Sequence, residues 1–428
     1  MTDDLMKSSG SGDADNSTHA DEQRLYPKVR FRGFDEPWKK VKFSTLLNSK
    51  DGIKRGPFGS SLKKSFFVKK SDYVVYEQQN AIYDQFSTRY FINEVKYNEL
   101  EAFSLKPNDF ILSGSGTIGC ISLVPDNIKK GVINQALIRI RINQNITNKF
   151  FFLQWMRSSY MQRRLTQANP GSAITNLVPI SEIKNWKVTV PNNKIQKHIG
   201  KILTQLDTLL SLQQRKLELE KALEKSLFQN LYTDFPNIFP KLAFEKSPWH
   251  AIKLQDAFTE ISKRSKAGQL LTVSISKGIF PFNESERKNN SSSDKSKYKV
   301  VKINDIAYNT MRMWQGAEAV SRYDGIVSPA YTVIRAKKNQ NPFFYAFMFK
   351  REKYLYLFQT YSQGLTSDTW NLKYPLFKEI KAMIPENLYI QDKIANILNT
   401  RLKHTELENT KLETFQALKQ FLLQNLFI

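Results

Sequence analysis

Cysteine is all but missing from this sequence. A single residue, Cys120, in 428 positions excludes an internal disulfide framework and any cysteine-based zinc finger. Histidine is nearly as scarce, and the four present (His19, His198, His250 and His404) are too widely scattered for two to share metal-ligand spacing. No apolar run approaches the roughly 20 residues of a membrane-spanning helix. The start, Met1 to Glu22, is acidic, Ser-rich and Gly-rich and does not resemble a signal peptide. These absences point to a cytoplasmic chain with no membrane partner. Catalytic signatures are lacking as well: there is no G-x-x-x-x-G-K-[ST] phosphate loop, no G-x-S-x-G elbow and no Asn-Pro-Pro-Tyr or Asp-Pro-Pro-Tyr run. The last deficit is negative charge. With 40 Asp and Glu against 64 Lys and Arg the net charge is +24, and the isoelectric point is near 9.7. That balance favours a polyanion, nucleic acid before an anionic membrane.

One stretch that is present imitates an enzyme. SGSGTIGCISLVP, Ser113 to Pro125, carries Gly114, Gly116 and Gly119 at the spacing of a dinucleotide-binding loop. Such a loop ends a strand and opens a helix, whose N-terminal amides face the phosphate. Here Asp109 to Leu112 reads as one strand, and Cys120 to Val124, apolar and halted by Pro125, reads as a second strand with a buried thiol. Ile133 to Arg139, where an acidic ribose partner belongs, holds no carboxylate. The glycines therefore serve a tight strand-turn-strand.

The chain is also duplicated. Tyr26 to Phe31 followed by Pro37-Trp38 recurs as Phe239 to Phe244 followed by Pro248-Trp249. Ile195-Gln196, Ile199, Ile202-Leu203 and Leu227 to Leu231 align without a gap on Ile390-Gln391, Ile394, Ile397-Leu398 and Leu422 to Leu426. The front of each repeat is rich in Phe, Tyr, Val and Ile with frequent turn signals, as in a mixed α/β domain with short strands. The back of each repeat is helical, with apolar residues at steps of three and four and no proline from Ile195 to Tyr232. Gln213, Lys216 and Glu220 interrupt the first stripe, and Arg401, His404, Glu408 and Lys411 the second. Two helices that pair, with polar core positions setting their register, account for this pattern. Leu203, Leu210 and Leu217, and Leu398, Leu402 and Leu412, form a second apolar line wide enough to seat partner helices. Met1 to Glu22 and Asn283 to Lys297 are too polar to bury a core and read as unstructured.

The whole chain from about Tyr26 resembles the specificity subunit of type I restriction-modification systems. The resemblance is carried by Arg55-Gly56-Pro57-Phe58-Gly59-Ser60-Ser61-Leu62-Lys63, Ser113-Gly114 with Thr117-Ile118-Gly119, Gly131 to Leu137, and the repeated Pro-x(3 to 4)-Ile-Gln helix start. It implies an α+β fold: two pseudo-symmetric α/β target-recognition domains (26–190 and 236–384) separated by two long helices (191–235 and 385–428) that form an antiparallel coiled coil, after a disordered tail (1–25). Each domain would read one half of a split site on double-stranded DNA, and the helices would set the spacer. It further implies that this chain is not an enzyme and holds no cofactor. Methylation with S-adenosylmethionine falls to two modification subunits, and translocation and cleavage with ATP and magnesium to restriction subunits.

For DNA contact, Arg55, Lys63 and Lys64 suit phosphates, and Ser60 and Ser61 suit phosphate or base edge. Gln78, Gln79 and Asn80, and Asn134 with Gln135, suit adenine edges or else satisfy buried backbone. Ser113, Ser115 and Thr117 bring small hydroxyls near DNA or pack beneath the reading loop. In the second repeat the candidates are Lys263, Arg264, Lys266, Arg312 and Gln315, with Trp314 a wedge or part of the core. The expected pairing and docking residues are Ile199, Ile202, Leu206, Leu209, Leu217 and Leu223 on the first helix, and Ile394, Ile397, Leu412 and Leu418 on the second. A self-sufficient DNA methyltransferase or restriction enzyme and an unselective polyanion scaffold are the competing readings.

Overall fold

The computed structural model describes residues 25–166, 177–285 and 293–428, and the backbone of Leu5–Ser8. Most of Met1 to Glu22 and residues 286–292 of the polar stretch lie outside the described residues. Leu5–Ser8 departs from the expected tail, since it forms a strand antiparallel to Val29–Phe31.

The chain divides into two compact units, and each takes half of both long helices. The first holds residues 1–213 and 411–428, the second 214–410. Within the first, an antiparallel sheet runs in the order Ile53–Arg55, Leu137–Ile140, Phe110–Ser113, Ile121–Leu123. The second repeats that order with Phe258–Glu260, Tyr331–Ala336, Ile306–Asn309 and Glu318–Val320. In both, a two-stranded ribbon pairs an early strand with the last, Lys39–Lys42 with Lys187–Val190 and His250–Lys253 with Lys381–Ile384. The first unit adds a sheet in which Gly131–Ile133 runs parallel to Tyr73–Tyr76.

A repeated anchor fixes each long helix to its own sheet. Asn148 accepts from the amides of Phe150 and Phe151 and so caps the helix Lys149–Arg157. The buried Gln196 side chain accepts in turn from the Asn148 amide at 2.9 Å. The second unit repeats this with Asn341, the helix Pro342–Phe349 and Gln391, at 3.0 Å. The recurring Ile-Gln pair is thus one core residue and one polar bolt. Gly200 belongs to the same junction, since a Cβ there would fall 2.6 Å from the Phe151 amide nitrogen.

The long helices, Asn193–Asn230 and Leu388–Asn425, pair antiparallel. In the first unit Ile199, Leu203 and Leu206 share a core with Leu422, Leu426 and Phe427. In the second, Arg401 Nη1 donates to Glu220 Oε2 (3.2 Å), Thr405 Oγ1 to Glu224 Oε2 (3.0 Å), and Lys216 Nζ lies 3.1 Å from the buried Glu408 Oε1. The polar interruptions at Lys216, Glu220, Arg401 and Glu408 therefore face one another. The buried and half-buried positions give the register: 199, 203, 206, 210, 213, 217, 220, 224, 227 and 231, matched by 394, 398, 401, 405, 408, 412, 415, 419, 422 and 426. Alternating steps of four and three make a strict heptad seam. Ile199, Leu206, Leu217, Ile394 and Leu412 lie on it, while Ile202 and Ile397 flank it half-buried. Leu209, Leu223 and Leu418 take no part in the pairing: they lie off the seam and are exposed. Spacings of three and four fit two neighbouring lines on a helix equally well, and only the partner decides which is buried.

Candidate nucleic-acid interface

Arg55 closes the strand Ile53–Arg55 and opens the loop to Lys64. Its guanidinium joins three segments that are far apart in sequence. Nε donates to the Gln135 carbonyl (3.2 Å), and Nη2 donates to the Gly114 carbonyl (3.4 Å) and to Ser115 Oγ (3.1 Å). Gly56 lets the loop lie against the Asn134–Gln135 backbone, where a Cβ would overlap the Asn134 carbonyl. Gln78 reaches the same place and donates to the carbonyls of Ser115 and Thr117. Arg55, Gln78, Ser115, Thr117, Asn134 and Gln135 are therefore brought together. Ser60, Ser61, Lys63 and Lys64 stand exposed on the loop above them, beside a concavity of about 180 Å³ lined by Pro57, Gly59, Leu62, Lys64, Asn134 and Gln135.

The glycine turn is a turn between antiparallel strands, with no helix behind it. Gly116 and Gly119 sit at φ +63° and +87°, left-handed conformations that favour glycine. Gln162 holds the turn from beneath by donating to the Gly119 carbonyl at 2.9 Å. Cys120 is half-buried and precedes the strand Ile121–Leu123, one residue outside the expected element.

Two proposed contact residues are spent inside the fold. Asn80 is buried, donating to the carbonyls of Gln85 (2.7 Å) and Ser87 (2.8 Å) and accepting from the Glu77 amide. Ser113 is buried too, its Oγ accepting from the Cys120 amide at 2.9 Å. An amide or hydroxyl that suits a base edge suits a backbone group equally, and here the backbone is nearer. Gln79 donates to Glu77 Oε2 (3.4 Å), and the Asn134 carbonyl oxygen of the side chain accepts from the Ala136 amide (3.1 Å), both while half-buried.

In the second unit Lys263, Arg264 and Lys266 are exposed on a segment that runs beside Tyr298–Val300. Arg312 precedes the short turn Met313–Gln315 and Gln315 closes it, before Gly316 with φ +80°. Trp314 is core: it packs half-buried on the second hydrophobic cluster and meets Trp370 edge-on at 5.2 Å. The side chains of Phe58 and Leu365, each beside a glycine at a loop tip, are among the most exposed large apolar groups. Residue chemistry alone assigned them no role.

Among the described residues no group of acidic, His or Cys side chains is arranged to hold a metal ion, and no helix is long and apolar enough to cross a membrane.

The family model for the type I restriction modification DNA specificity domain matches residues 37–221 and again 246–416. The MjaVIII type I restriction enzyme specificity subunit of Methanocaldococcus jannaschii is 23% identical over 202 residues, 44% of this chain and 45% of that protein. The putative MjaX specificity subunit of the same organism is 20% identical over 161 residues, 37% of each chain. The matched segments thus span less than half of either relative. The crystal structure of the S subunit of a type I restriction-modification system from M. genitalium shares the fold with a TM-score of 0.57, covering 94% of this chain and 99% of that one at 16% identity.

Proposed function

Because the chain belongs to the type I restriction modification DNA specificity family, we propose that it is the sequence-reading subunit of a cytoplasmic restriction-modification complex and makes or breaks no bonds itself. Each unit reads one half of a bipartite duplex site, and the paired helices set the distance between the halves. We assign S-adenosylmethionine to two modification subunits, and ATP and magnesium to restriction subunits, with no cofactor on this chain.

The observation that carries this reading is the seam: one helix from each repeat, joined in a single heptad register. A helix of 38 residues is about 57 Å long, whereas a DNA turn is about 34–36 Å, so the rod suffices to span successive grooves. Leu209, Leu212, Leu219 and Leu223 on one helix, and Leu407, Leu418 and Phe421 on the other, are exposed beside the seam. Two matching apolar stripes on a duplicated rod suit two copies of one partner, which supports docking of the modification subunits there.

Removing one heptad from each helix at facing positions shortens the rod by about 10 Å. The preferred spacer is then expected to contract by about three base pairs with both half-site sequences unchanged, as read by methylome sequencing. Altered half-site letters with an unchanged spacer would overturn the ruler. Arg55→Ala frees three loops at once and is expected to lower the ratio of specific to non-specific affinity at fixed salt by about tenfold to a hundredfold. Equal loss on all sequences would instead mark Arg55 as a plain phosphate contact and favour an unselective scaffold.

A further inference from the structure

Isolated apolar side chains on a protein surface are ordinary. Phe58 is not placed in an ordinary way. It is 85% exposed, yet the loop that carries it is tied down on every side. The Gly56 amide donates to the Leu137 carbonyl (2.9 Å), the Ser61 amide closes a turn on the Phe58 carbonyl (2.9 Å), and the Phe66 amide donates to the Lys63 carbonyl (3.0 Å). Pro57 and Gly56 are buried beneath the ring, and Arg55 locks the base of the loop to Gln135, Gly114 and Ser115. An ordered backbone thus holds a phenyl group in water, where it gains nothing within the chain.

The charge around it identifies the occupant. From Ile53 to Ser71 there are six lysines and arginines (Lys54, Arg55, Lys63, Lys64, Lys69 and Lys70) and no aspartate or glutamate, and Glu77, the acid lining the concavity beside the loop, is paired with Arg89 at 2.9 Å. A duplex presents that same alternation in reverse, with anionic phosphates flanking an apolar stack of bases. Cations on both sides of a rigid loop and one aromatic ring at its tip match phosphates on both sides of a base step. Apolar side chains inserted at such steps partly unstack them and kink the duplex.

Resting on the DNA-reading function above, we propose that Phe58 is a wedge: its ring enters a base step at the half-site read by the first unit and opens that step locally. Specificity then comes in part from how readily the step unstacks, beyond any hydrogen bond to a base edge.

The test uses the full chain purified with its partner subunits. A duplex selected from a randomised pool is resynthesised with 2-aminopurine at each adenine position of the two half-sites in turn. Apart from the target adenine of each half-site, which the modification subunits themselves turn out of the stack, the wild type is expected to raise 2-aminopurine fluorescence severalfold at one step of one half-site. Phe58→Ala is expected to abolish that rise, leave the other half-site untouched and weaken specific binding about tenfold. Phe58→Leu is expected to keep most of both signals. The salt dependence should be common to all three, because no phosphate contact changes. Since the ring is exposed, folding is unaffected. Unchanged fluorescence in Phe58→Ala would overturn the wedge while leaving sequence recognition standing. Loss of partner subunits from Phe58→Ala with unchanged DNA signals would make the ring a protein contact and overturn it equally. Failure of the wild type to select any sequence would refute the DNA-reading function, and the wedge with it.

Discussion

Asp51→Ala is expected to cost the first unit about 3–5 kcal/mol, lowering its melting temperature by roughly 6–20 °C. The Asp51 carboxylate accepts from Arg139 Nη2 with one oxygen and from Arg141 Nη1 with the other. Arg139 is 1% exposed, and its remaining hydrogen bonds go to the neutral carbonyls of Ala102 and Ser104. Burial, with the charge of Arg141 beside it, already lowers the pKa of Arg139. Asp109, the other acid nearby, is engaged by Arg141 through two bonds of 2.7 and 3.0 Å. Without Asp51 a buried guanidinium loses its directly bonded counter-charge. The second unit supplies the control. Asp305 holds Arg335 through two bonds, 2.7 and 2.9 Å, as Asp109 holds Arg141, but the Arg335 side chain is 48% exposed and can turn to water. Asp305→Ala is therefore expected to cost only about 1–2 kcal/mol. Hydrogen exchange in the strands Leu137–Ile140 and Tyr331–Ala336 reads the two units separately, and equal losses would refute the argument from burial.

The second unit is expected to lose stability as pH rises from 5 to 9, and Glu318→Gln to remove most of that loss. Glu318 begins the edge strand Glu318–Val320, is wholly buried, and neither carboxyl oxygen has a hydrogen-bond partner among the described residues. Burial pushes its pKa from the usual 4.5 up to about 8, opposed only weakly by Lys350. In the unfolded chain the acid ionises near 4.5. Between the two values the folded form binds the proton and the unfolded form does not, so each step upward in pH favours unfolding. The stabilisation is complete below about 4.5 and gone above about 8, and at about 1.4 kcal/mol per pH unit it amounts to on the order of 4–5 kcal/mol. Glutamine cannot ionise, so urea midpoints of the variant should fall far less across this range and exceed the wild type at pH 9. Parallel curves for the two proteins would refute the assignment.

Much of this fold was legible because duplication and period survive in sequence. The gap-free match of Ile195–Leu231 to Ile390–Leu426 marked both helices to within a few residues, and the apolar run after Gly119 marked a strand instead of a nucleotide-binding helix. The helix register was not legible, since Leu209 and Leu223 stand three residues from the seam positions 206 and 220, a step that seam residues also take, and differ only in what lies opposite. Individual contact residues failed for a different reason. Asn80 and Ser113 have the right chemistry, but whether that chemistry faces outward depends on Gln85, Ser87 and Cys120, which folding brings close. Gln196 and Gln391 were visible as a repeat, while their bolt to the Asn148 and Asn341 amides needed coordinates.

The halves of the rod differ in kind. Where Glu220 meets Arg401 in the second unit, the corresponding positions in the first are Leu206 and Phe415, both part of its hydrophobic core. At these matched positions one stretch of the zipper is apolar and the other charged, although Lys419 and Asp207 also pair across the first at 2.6 Å. Added salt screens the charged pairing at Glu220 and Arg401 and leaves the apolar pairing at Leu206 and Phe415 untouched, so a chain that looks symmetrical in sequence is held unequally at two matched positions.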